Sequence, residues 1–544
     1  MKLQLIDIVI LVVFLGGVIW WAIKNGKSND STSYFLAGRN VTWPMVGLSL
    51  FAASVSSSTL MGHSGEGFIS GIAVFNYNWI SVLVMVFFAL FFLPFYIRSG
   101  IFTMPEFLEK RFDKRSRYYF SFITILGNVF LDAAATLYTG ALIIKMIFPT
   151  TDLFWIIIIM ALMAGSYTII GGLSSAIQAD IIHTIILIVG STVLYFYAIH
   201  AIGGWDELTN RFNQGVWLKL TRPMNDPTVP WPGMFLGIPI LGFYFWANNQ
   251  VMVQRVLSAK SIDHGRKGVL LVGFLYLFTL FIFILPGLIG RGINLFGVEN
   301  LPDQLISGST LKSSYGINTD QVYPRLIVRL LPVGFIGLIL AAMISALTSA
   351  LSATLSSVST LFTMDFYTRF NPKADSKKLV RVGQITSMVV LVFAIIWSPF
   401  IQRFDSLVSY YQEIVSYLAP PIVGTFFMGL FWKRSNEQGA FWGLISGLVI
   451  AFLVMIVKYV VGITIPFHFL MLAPIIMAVS MLINVIVSLN SHLPDQEKVR
   501  QNTWTVKIWK EESEELRGVV WYKNFRVQAG LLVIACFTMY FFFR

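Results

Sequence analysis

The sequence predicts an all-α membrane protein that crosses the bilayer many times. Of its 544 residues, 56% are hydrophobic and only 12% are charged, and the mean hydropathy is +0.73. A soluble globular protein usually carries about 25% charged residues. Runs of about 20 apolar residues, the length a helix needs to cross the hydrocarbon core, recur along the whole chain. We expect about fourteen transmembrane helices from these runs.

The predicted spans are the apolar runs, and short charged loops separate them. The first run lacks a basic leader and a small-residue cleavage motif, so we interpret it as a membrane helix and not as a signal peptide. The spans cover residues 4–23, 43–71, 75–98, 118–148, 153–172, 175–201, 231–256, 267–290, 329–370, 380–399, 406–432, 437–458, 466–488 and 525–543.

Basic residues fall on alternate loops of this arrangement. They cluster at 98–117, 260–267 and 369–381, whereas the loops 202–230 and 291–328 carry mixed charge. The positive-inside rule then predicts cytoplasmic basic loops and both termini outside the cell (cytoplasmic or inner) membrane. The net charge of +12 therefore reflects topology and not nucleic-acid binding.

No motif in the chain indicates an enzyme. The patterns HExxH, GxSxG and Walker A are absent, and the six histidines are dispersed. The single cysteine, Cys536, excludes a disulfide framework and a cysteine metal site. The charged run 495–518 is interpreted as a solvated cytoplasmic linker before the last helix.

The stretch 48–68, LSLFAASVSSSTLMGHSGEGF, is unusually polar for a membrane helix. Six of the eleven residues from Ser49 to Thr59 carry a hydroxyl group. Serine and threonine compete for backbone hydrogen bonds and favour local unwinding of a helix. Inside a membrane, unwound backbone occurs only where it is buried in protein or lines a cavity. The freed oxygens suit a partly dehydrated alkali cation. Close helix packing is the alternative for each individual hydroxyl.

A second polar helix covers 330–367. Its serines recur at spacings of 4, 3, 4 and 3, which places them on one helical face. They are Ser345, Ser349, Ser352, Ser356 and Ser359. This face predicts either the other half of an ion site or a stripe of small residues for close packing, and both interpretations stay open.

A third helix, 230–255, is interrupted by helix breakers. They are Pro232, Gly233, Gly237, Pro239 and Gly242. Breaks in two spans of two halves indicate a secondary transporter with inverted repeats. The chain then divides into an N-terminal helix and loop at 1–42, a first half at 43–201, an extracellular loop at 202–230, a second half at 231–432, and three C-terminal helices with the charged linker at 433–544.

Three polar residues lie inside predicted spans. Asp132 is a functional candidate by default, or a structural hydrogen-bond anchor. Asp180 is an interfacial anchor or an ion ligand. Gln412 either satisfies backbone groups freed by Pro420 and Pro421 or binds sugar hydroxyls. His63 is interpreted as a cavity-wall residue.

Five segments of the sequence resemble the sodium:solute symporter family, and most closely its sodium/glucose cotransporter branch, which includes bacterial sodium/sugar symporters. They are residues 49–73, 167–183 (YTIIGGLSSAIQADIIH), 245–261 (FWANNQVMVQRVLSAKS), 331–367 and 410–447. The resemblance implies a LeuT-type core of inverted five-helix repeats, fourteen helices in all, and sodium as the coupling ion.

The resemblance also implies a sodium site. Ala52 and Val55 would contribute backbone oxygens from the first broken helix, Ala346 a backbone oxygen, and Ser349 a hydroxyl. The sequence departs at Ala350, where the family usually has a second hydroxyl.

Asp180 matches the family's aspartate near the sodium site, and Ser352 matches a position that some members use for a second sodium. The solute-binding positions carried over by the resemblance are Thr59, Asn78, Ser81, Asp132, Trp246, Tyr276 and Gln412. The gating positions are His63, Tyr77 and Phe245. Several of these depart from the sugar-binding residues of relatives, which favours a sugar other than galactose or a related hydroxylated solute.

We therefore expect a sodium-driven symporter that imports a small sugar or polyol by alternating access, embedded in the lipid bilayer and without a nucleic-acid partner. One alternative is a symporter of another organic solute, such as a uronate, a carboxylate or an amine, with Asp132 contacting it. The other is a non-transporting sensor or channel of the same fold, although a sensor is expected to carry a cytoplasmic signalling domain.

Overall fold

The computed structural model describes residues 4–26, 30–147, 150–213, 215–298, 301, 308–403, 407–463 and 467–544. Within these ranges the chain is helical and contains no strand beyond one isolated bridge between Val41 and Ala259. The predicted all-α fold is confirmed. Among the described residues, ten helical segments are long and apolar enough to cross a membrane, or eleven if the bent pair Ile262–Leu277 and Leu280–Gly292 forms one span.

The α-helices are as follows, in chain order: α1 (Leu5–Asn25), α2 (Ser31–Leu36), α3 (Trp43–Ser54), α4 (Ser57–Ser70), α5 (Asn76–Phe87), α6 (Leu93–Arg98), α7 (Met104–Arg111), α8 (Lys114–Gly127), α9 (Ala134–Ile147), α10 (Leu153–Ile202), α11 (Trp205–Phe212), α12 (Trp231–Phe243), α13 (Gln250–Leu257), α14 (Ile262–Leu277), α15 (Leu285–Gly292), α16 (Gly308–Tyr315), α17 (Val322–Leu330), α18 (Phe335–Leu361), α19 (Thr368–Phe370), α20 (Ser376–Trp397), α21 (Leu407–Phe431), α22 (Glu437–Met455), α23 (Phe469–Leu489), α24 (Gln496–Asn502), α25 (Val506–Glu515) and α26 (Phe525–Phe542). Short π-helical turns extend several of them, at Phe88–Phe92, Asn128–Ala133, Tyr244–Asn248, Leu280–Ile284, Phe362–Tyr367 and Ile456–Val460.

The two longest continuous segments are about twice the length that one crossing needs. Ser58–Arg98 has 41 residues and Leu153–Ile202 has 50, whereas about 20 span the hydrocarbon core. The longer one turns at Gly172, whose φ of 58° and ψ of −144° suit glycine alone. A Cβ at Gly172 would also lie 2.3 Å from the carbonyl oxygen of Tyr34. The predicted boundary between spans 153–172 and 175–201 falls at this turn, and the count of fourteen spans stays a prediction.

The first helix break lies between α3 and α4. The last backbone hydrogen bond of α3 joins the N–H of Val55 to the carbonyl of Phe51 at 3.1 Å. Ser56 then caps α4, because its hydroxyl accepts a hydrogen bond from the backbone N–H of Thr59 at 3.2 Å. The helix is thus interrupted within the hydroxyl-rich stretch, as the sequence predicts.

The second helix break lies between α12 and α13. A π-helical turn at Tyr244–Asn248 follows α12, and Asn249 leaves helical geometry with φ −67° and ψ 125°. The Asn249 side chain accepts a hydrogen bond from the N–H of Val251 at 2.8 Å and so caps α13. α13 packs against α3 and α18, so the two breaks lie in neighbouring helices.

Helix α18 lies at the centre of one helix group and contacts α1, α3, α10 and α20. All residues from Ile339 to Leu361 are buried, including every serine of the predicted stripe. A helix buried on every side is a core helix. The serines therefore serve close packing, and some of them also carry hydrogen bonds to neighbouring helices.

The charged run 495–518 is only in part the solvated linker that was predicted, because many of its residues are exposed but others pack against neighbouring helices. The N–H of Trp504 donates to the carbonyl of Leu430 at 2.8 Å. The guanidinium of Arg266 donates to the buried carboxylate of Glu512 at 2.6 Å, and Arg526 stacks 3.7 Å from the Trp509 ring. Glu512 therefore pairs with α14 and α26, and this part of the run packs against transmembrane helices.

Candidate functional site

A fully buried ion pair lies beside the first helix break. Arg255 on α13 donates from its Nη2 to Oδ2 of Asp180 on α10 at 2.9 Å, and neither side chain is exposed. Ser49 on α3 donates to the same oxygen at 2.5 Å and Ser349 on α18 donates to Oδ1 at 2.5 Å. We call these four residues the Asp180 cluster. It joins four helices, including both broken ones.

The Asp180 cluster orients the predicted sodium ligand Ser349. A hydroxyl has one proton and two lone pairs. Because the Ser349 proton points to Asp180, the lone pairs of its oxygen remain for a cation. Ala350 follows on the same helix, and its side chain lines the central cavity.

The other predicted sodium ligands are buried near this point. Ala52 and Val55 lie at the end of α3, past the last helical hydrogen bond at Phe51, and Ala346 lies one turn before Ser349 on α18. Carbonyl groups at a helix end have no partner within the helix. The break therefore provides backbone oxygens of the kind that a sodium site needs.

The residues predicted for a second sodium are engaged in other contacts. Both oxygens of Asp180 accept hydrogen bonds within the Asp180 cluster. Ser352 accepts a hydrogen bond from the Thr168 hydroxyl at 2.7 Å. Asp180 is therefore placed to orient Ser349, and its charge is balanced by Arg255.

A cavity of about 200 Å³ opens between the two helix breaks. All ten residues predicted for solute binding and gating line it: Thr59, His63, Tyr77, Asn78, Ser81, Asp132, Phe245, Trp246, Tyr276 and Gln412. They come from α4, α5, α14, α21 and the turns after α8 and α12. Residues far apart in the sequence thus converge on one space, and Ala53 and Ser54 join it to the end of α3.

A hydrogen-bond chain braces the predicted gate His63. Its Nε2 lies 2.9 Å from Oδ1 of Asn78, and its Nδ1 lies 2.9 Å from the carbonyl of Thr59. The Asn78 amide donates to the Thr279 hydroxyl at 2.6 Å, which donates to the carbonyl of Tyr276 at 2.5 Å. Asn78 therefore positions His63, and both ends of its amide are already engaged.

Asp132 and a group of aromatic residues line the same cavity. The Asp132 carboxylate shares a hydrogen bond with Tyr411. Trp246 packs edge-on against Tyr276, with ring centroids 5.0 Å apart, and against Phe245 at 5.2 Å. Among the lining residues that the structure describes, none is a lysine or an arginine.

Comparison with known proteins then decides the family. Residues 34–447 match the Sodium:solute symporter family. The chain is 36% identical to Sodium/glucose cotransporter 4 of Danio rerio, over 94% of this chain and 83% of that protein. It is 34% identical to Sodium/glucose cotransporter 1 of Oryctolagus cuniculus, over 94% of this chain and 82% of that protein. The chain belongs to the sodium:solute symporter family.

The fold of this symporter is also that of solved transporters. A substrate-bound outward-open state of a Na⁺-coupled sialic acid symporter aligns with a TM-score of 0.79 at 22% identity, over 91% of this chain and 100% of that chain. A nucleobase-cation-symport-1 family transporter, MHP1, aligns with a TM-score of 0.52 at 12% identity, over 87% of this chain and 99% of that chain. These likenesses confirm the LeuT-type fold class.

As a family member, the protein is a multi-pass membrane symporter and not an enzyme, and sodium is its coupling ion. The relatives named above are vertebrate sodium/glucose cotransporters, whereas the sequence resemblance was drawn to bacterial members of the same branch.

Sequence reasoning missed Arg255, although a signal was present. Arg255 lies inside the predicted span 231–256, and an arginine in a membrane helix needs a partner. Asp180, in another predicted span, was the obvious acidic candidate. The role of Tyr411 at the cavity was also missed, because a tyrosine next to Gln412 has no distinctive pattern.

Proposed function

We propose that this symporter imports a small neutral sugar or polyol across the cell membrane, driven by sodium and by alternating access. The observation that carries the proposal is the convergence of all ten predicted solute and gate residues on one cavity that adjoins the first helix break. Relatives named as sodium/glucose cotransporters support the same solute class.

The chemistry of the cavity supports a neutral polyhydroxylated solute. Trp246, Phe245 and Tyr276 offer apolar ring faces, which suit the C–H face of a pyranose. Gln412 and Ser81 offer amide and hydroxyl groups, and Asp132 accepts hydrogen bonds from hydroxyl donors. A carboxylate without a lysine or arginine among the described lining residues disfavours an acid such as a uronate.

The same carboxylate favours one second candidate, a solute that carries an amine. Asp132 would then be its counter-charge. This candidate differs from the first in one measurable respect, since replacing Asp132 by asparagine would abolish amine transport but only weaken the transport of a neutral sugar.

On the ion side, we propose one sodium bound by the carbonyls of Ala52, Val55 and Ala346 and by the Ser349 hydroxyl. Asp180 would orient Ser349, and its charge would be balanced by Arg255 and not by the ion. Ser352 would then have no sodium to bind. This differs from the two-sodium arrangement of some family members.

Coupling would follow from differential affinity, because a ligand shifts a conformational equilibrium only if it binds one state better. Sodium bound between α3 and α18 would stabilise an outward-open state. In this arrangement both termini lie outside. Each charge moved inward gains about 2.3 kcal/mol per 100 mV of membrane potential.

The test is uptake into proteoliposomes of labelled neutral sugars, polyols, uronates and amines, with and without an inward sodium gradient. We expect accumulation of a neutral sugar or polyol only with the gradient. Uptake restricted to amines would establish the second candidate. Uptake restricted to uronates, or uptake independent of sodium, would contradict the proposal, and liposomes without protein serve as the control.

A further inference from the structure

A lysine–glutamate pair joins α21 to the end of α22, outside the cavity. The Lys458 ammonium donates to Oε1 of Glu413, and the Tyr417 hydroxyl donates to the same oxygen at 2.6 Å. The Glu413 side chain is 11% exposed and that of Lys458 is 38% exposed. Ionisable residues in membrane helices are rare and pair with a specific partner.

Glu413 directly follows Gln412, the predicted solute contact. Successive residues of a helix lie about 100° apart around its axis. Gln412, Tyr411 and Val415 line the cavity, while the Glu413 carboxylate on the adjacent face is bound to Lys458. Rotation of α21 about its axis would therefore break the pair and turn Gln412 away from the cavity.

Two prolines weaken the hold of α21 on its own orientation. Pro420 and Pro421 lie inside the helix, and proline has no N–H to donate, so the carbonyls of Ser416 and Tyr417 lose their helical partners. The part of α21 before the prolines is therefore held to the part after them by fewer backbone hydrogen bonds. Contacts outside the helix then contribute more to its orientation.

We propose that Lys458 and Glu413 are positioning residues for the solute: their ion pair orients the first part of α21 so that Gln412 and Tyr411 face the cavity. The inference rests on the proposed function, because it takes Gln412 as a solute contact. Neither residue touches the solute. Lys458 is partly exposed and the Tyr417 hydroxyl still donates to Glu413 without it, so the Lys458 variant is expected to remain folded.

The first experiment measures uptake kinetics for Lys458→Met, for Glu413→Gln and for the exchange Glu413→Lys with Lys458→Glu. We expect each single variant to raise the solute KM about tenfold, with the sodium half-saturation and the maximal rate per transporter within about twofold of the original protein. The exchange variant restores the KM. Lys507→Met is the matched control, because Lys507 is also paired with a glutamate but its side chain is 83% exposed.

Two results would overturn the inference. One is an unchanged solute KM in both single variants. The other is a parallel loss of KM, maximal rate and sodium dependence that the exchange does not relieve, since that is the result of a damaged fold.

A second experiment needs no solute. Cys536 is the single cysteine, so Val415→Cys in a Cys536→Ala background gives one reporter at the cavity wall. We expect Lys458→Met to change the rate at which a water-soluble thiol reagent labels position 415, and Lys507→Met to leave it unchanged. An unchanged rate in Lys458→Met would overturn the inference. If no solute is transported by the original protein, the proposed function fails while this measurement still decides the role of the pair.

Discussion

The Asp180 cluster and the central cavity are both polar regions in the membrane part of this symporter, but they differ in how their polar groups are satisfied. In the Asp180 cluster every side chain is fully buried and hydrogen-bonded to another member. In the cavity, Asp132 and Gln412 are half-buried and line open space. The first region is complete without a ligand, whereas the second has polar groups left for a solute. Changes in the cluster should therefore affect the fold and sodium, and changes in the cavity should affect the solute.

The largest effect is expected from Arg255→Met. It leaves the Asp180 carboxylate buried without its counter-charge, which costs about 3–5 kcal/mol. We expect a strong loss of folded protein and of transport, measured by purified yield and by thermal unfolding in detergent. Arg500→Met, at an exposed position of α24, is the control.

The double variant Arg255→Met with Asp180→Asn removes both charges. It should be more stable than Arg255→Met alone, because no unpaired charge remains buried. A double variant that is less stable than the single one would show that the ion pair is not the reason for the effect.

The next effect is on the solute side. Gln412→Ala removes the amide that we assign to the solute, and the loss of two hydrogen bonds lowers affinity by about ten- to a hundredfold. Sodium half-saturation should stay the same, as measured by sodium-induced changes in intrinsic tryptophan fluorescence. Normal uptake by Gln412→Ala would remove Gln412 from the solute site.

On the ion side, Ser349→Ala should raise the sodium half-saturation of uptake about tenfold, since one ligand worth about 1.4 kcal/mol is lost. The solute KM at saturating sodium should change little. Ser345→Ala is the matched control, because Ser345 lies one turn earlier on the serine face and its hydroxyl has no partner among the described residues. Equal effects on sodium and solute would contradict the role of Ser349.

The smallest effect is expected from Ala350→Ser. It adds a hydroxyl where the family usually has one, next to Ser349 and at the cavity wall. Sodium half-saturation should fall by about two- to threefold, the effect of one weak additional ligand. A higher sodium requirement in the Ala350→Ser variant would show that the predicted ion position is displaced from this residue.

The sequence predicted the parts of this fold that depend on local composition. The helix break after Ser54 follows from consecutive hydroxyl residues, and the turn in α10 follows from Gly172, so both were placed to within a few residues. The convergence of Asp132, Trp246 and Gln412 on one cavity came from the family resemblance, because helical periodicity cannot state which helices are neighbours.

Pairings between distant charges could not be obtained in this way. Arg255 and Asp180 are 75 positions apart. Neither the residue spacing nor the composition of one segment indicates that the other is its partner. The packing of part of 495–518 was missed for a related reason: alternating charges are typical of solvated segments, and contacts such as Arg266–Glu512 join residues far apart in the sequence.

The most direct test of sodium-coupled solute binding is the equilibrium affinity of each ligand in the presence and absence of the other, with the purified protein in nanodiscs and choline replacing sodium. Linkage requires that sodium tighten solute binding by the same factor by which the solute tightens sodium binding. We expect an equal factor of about ten or more in both directions, within the usual range of coupling free energies. Solute binding of the same affinity in choline and in sodium would contradict the coupling of the cavity to the first helix break.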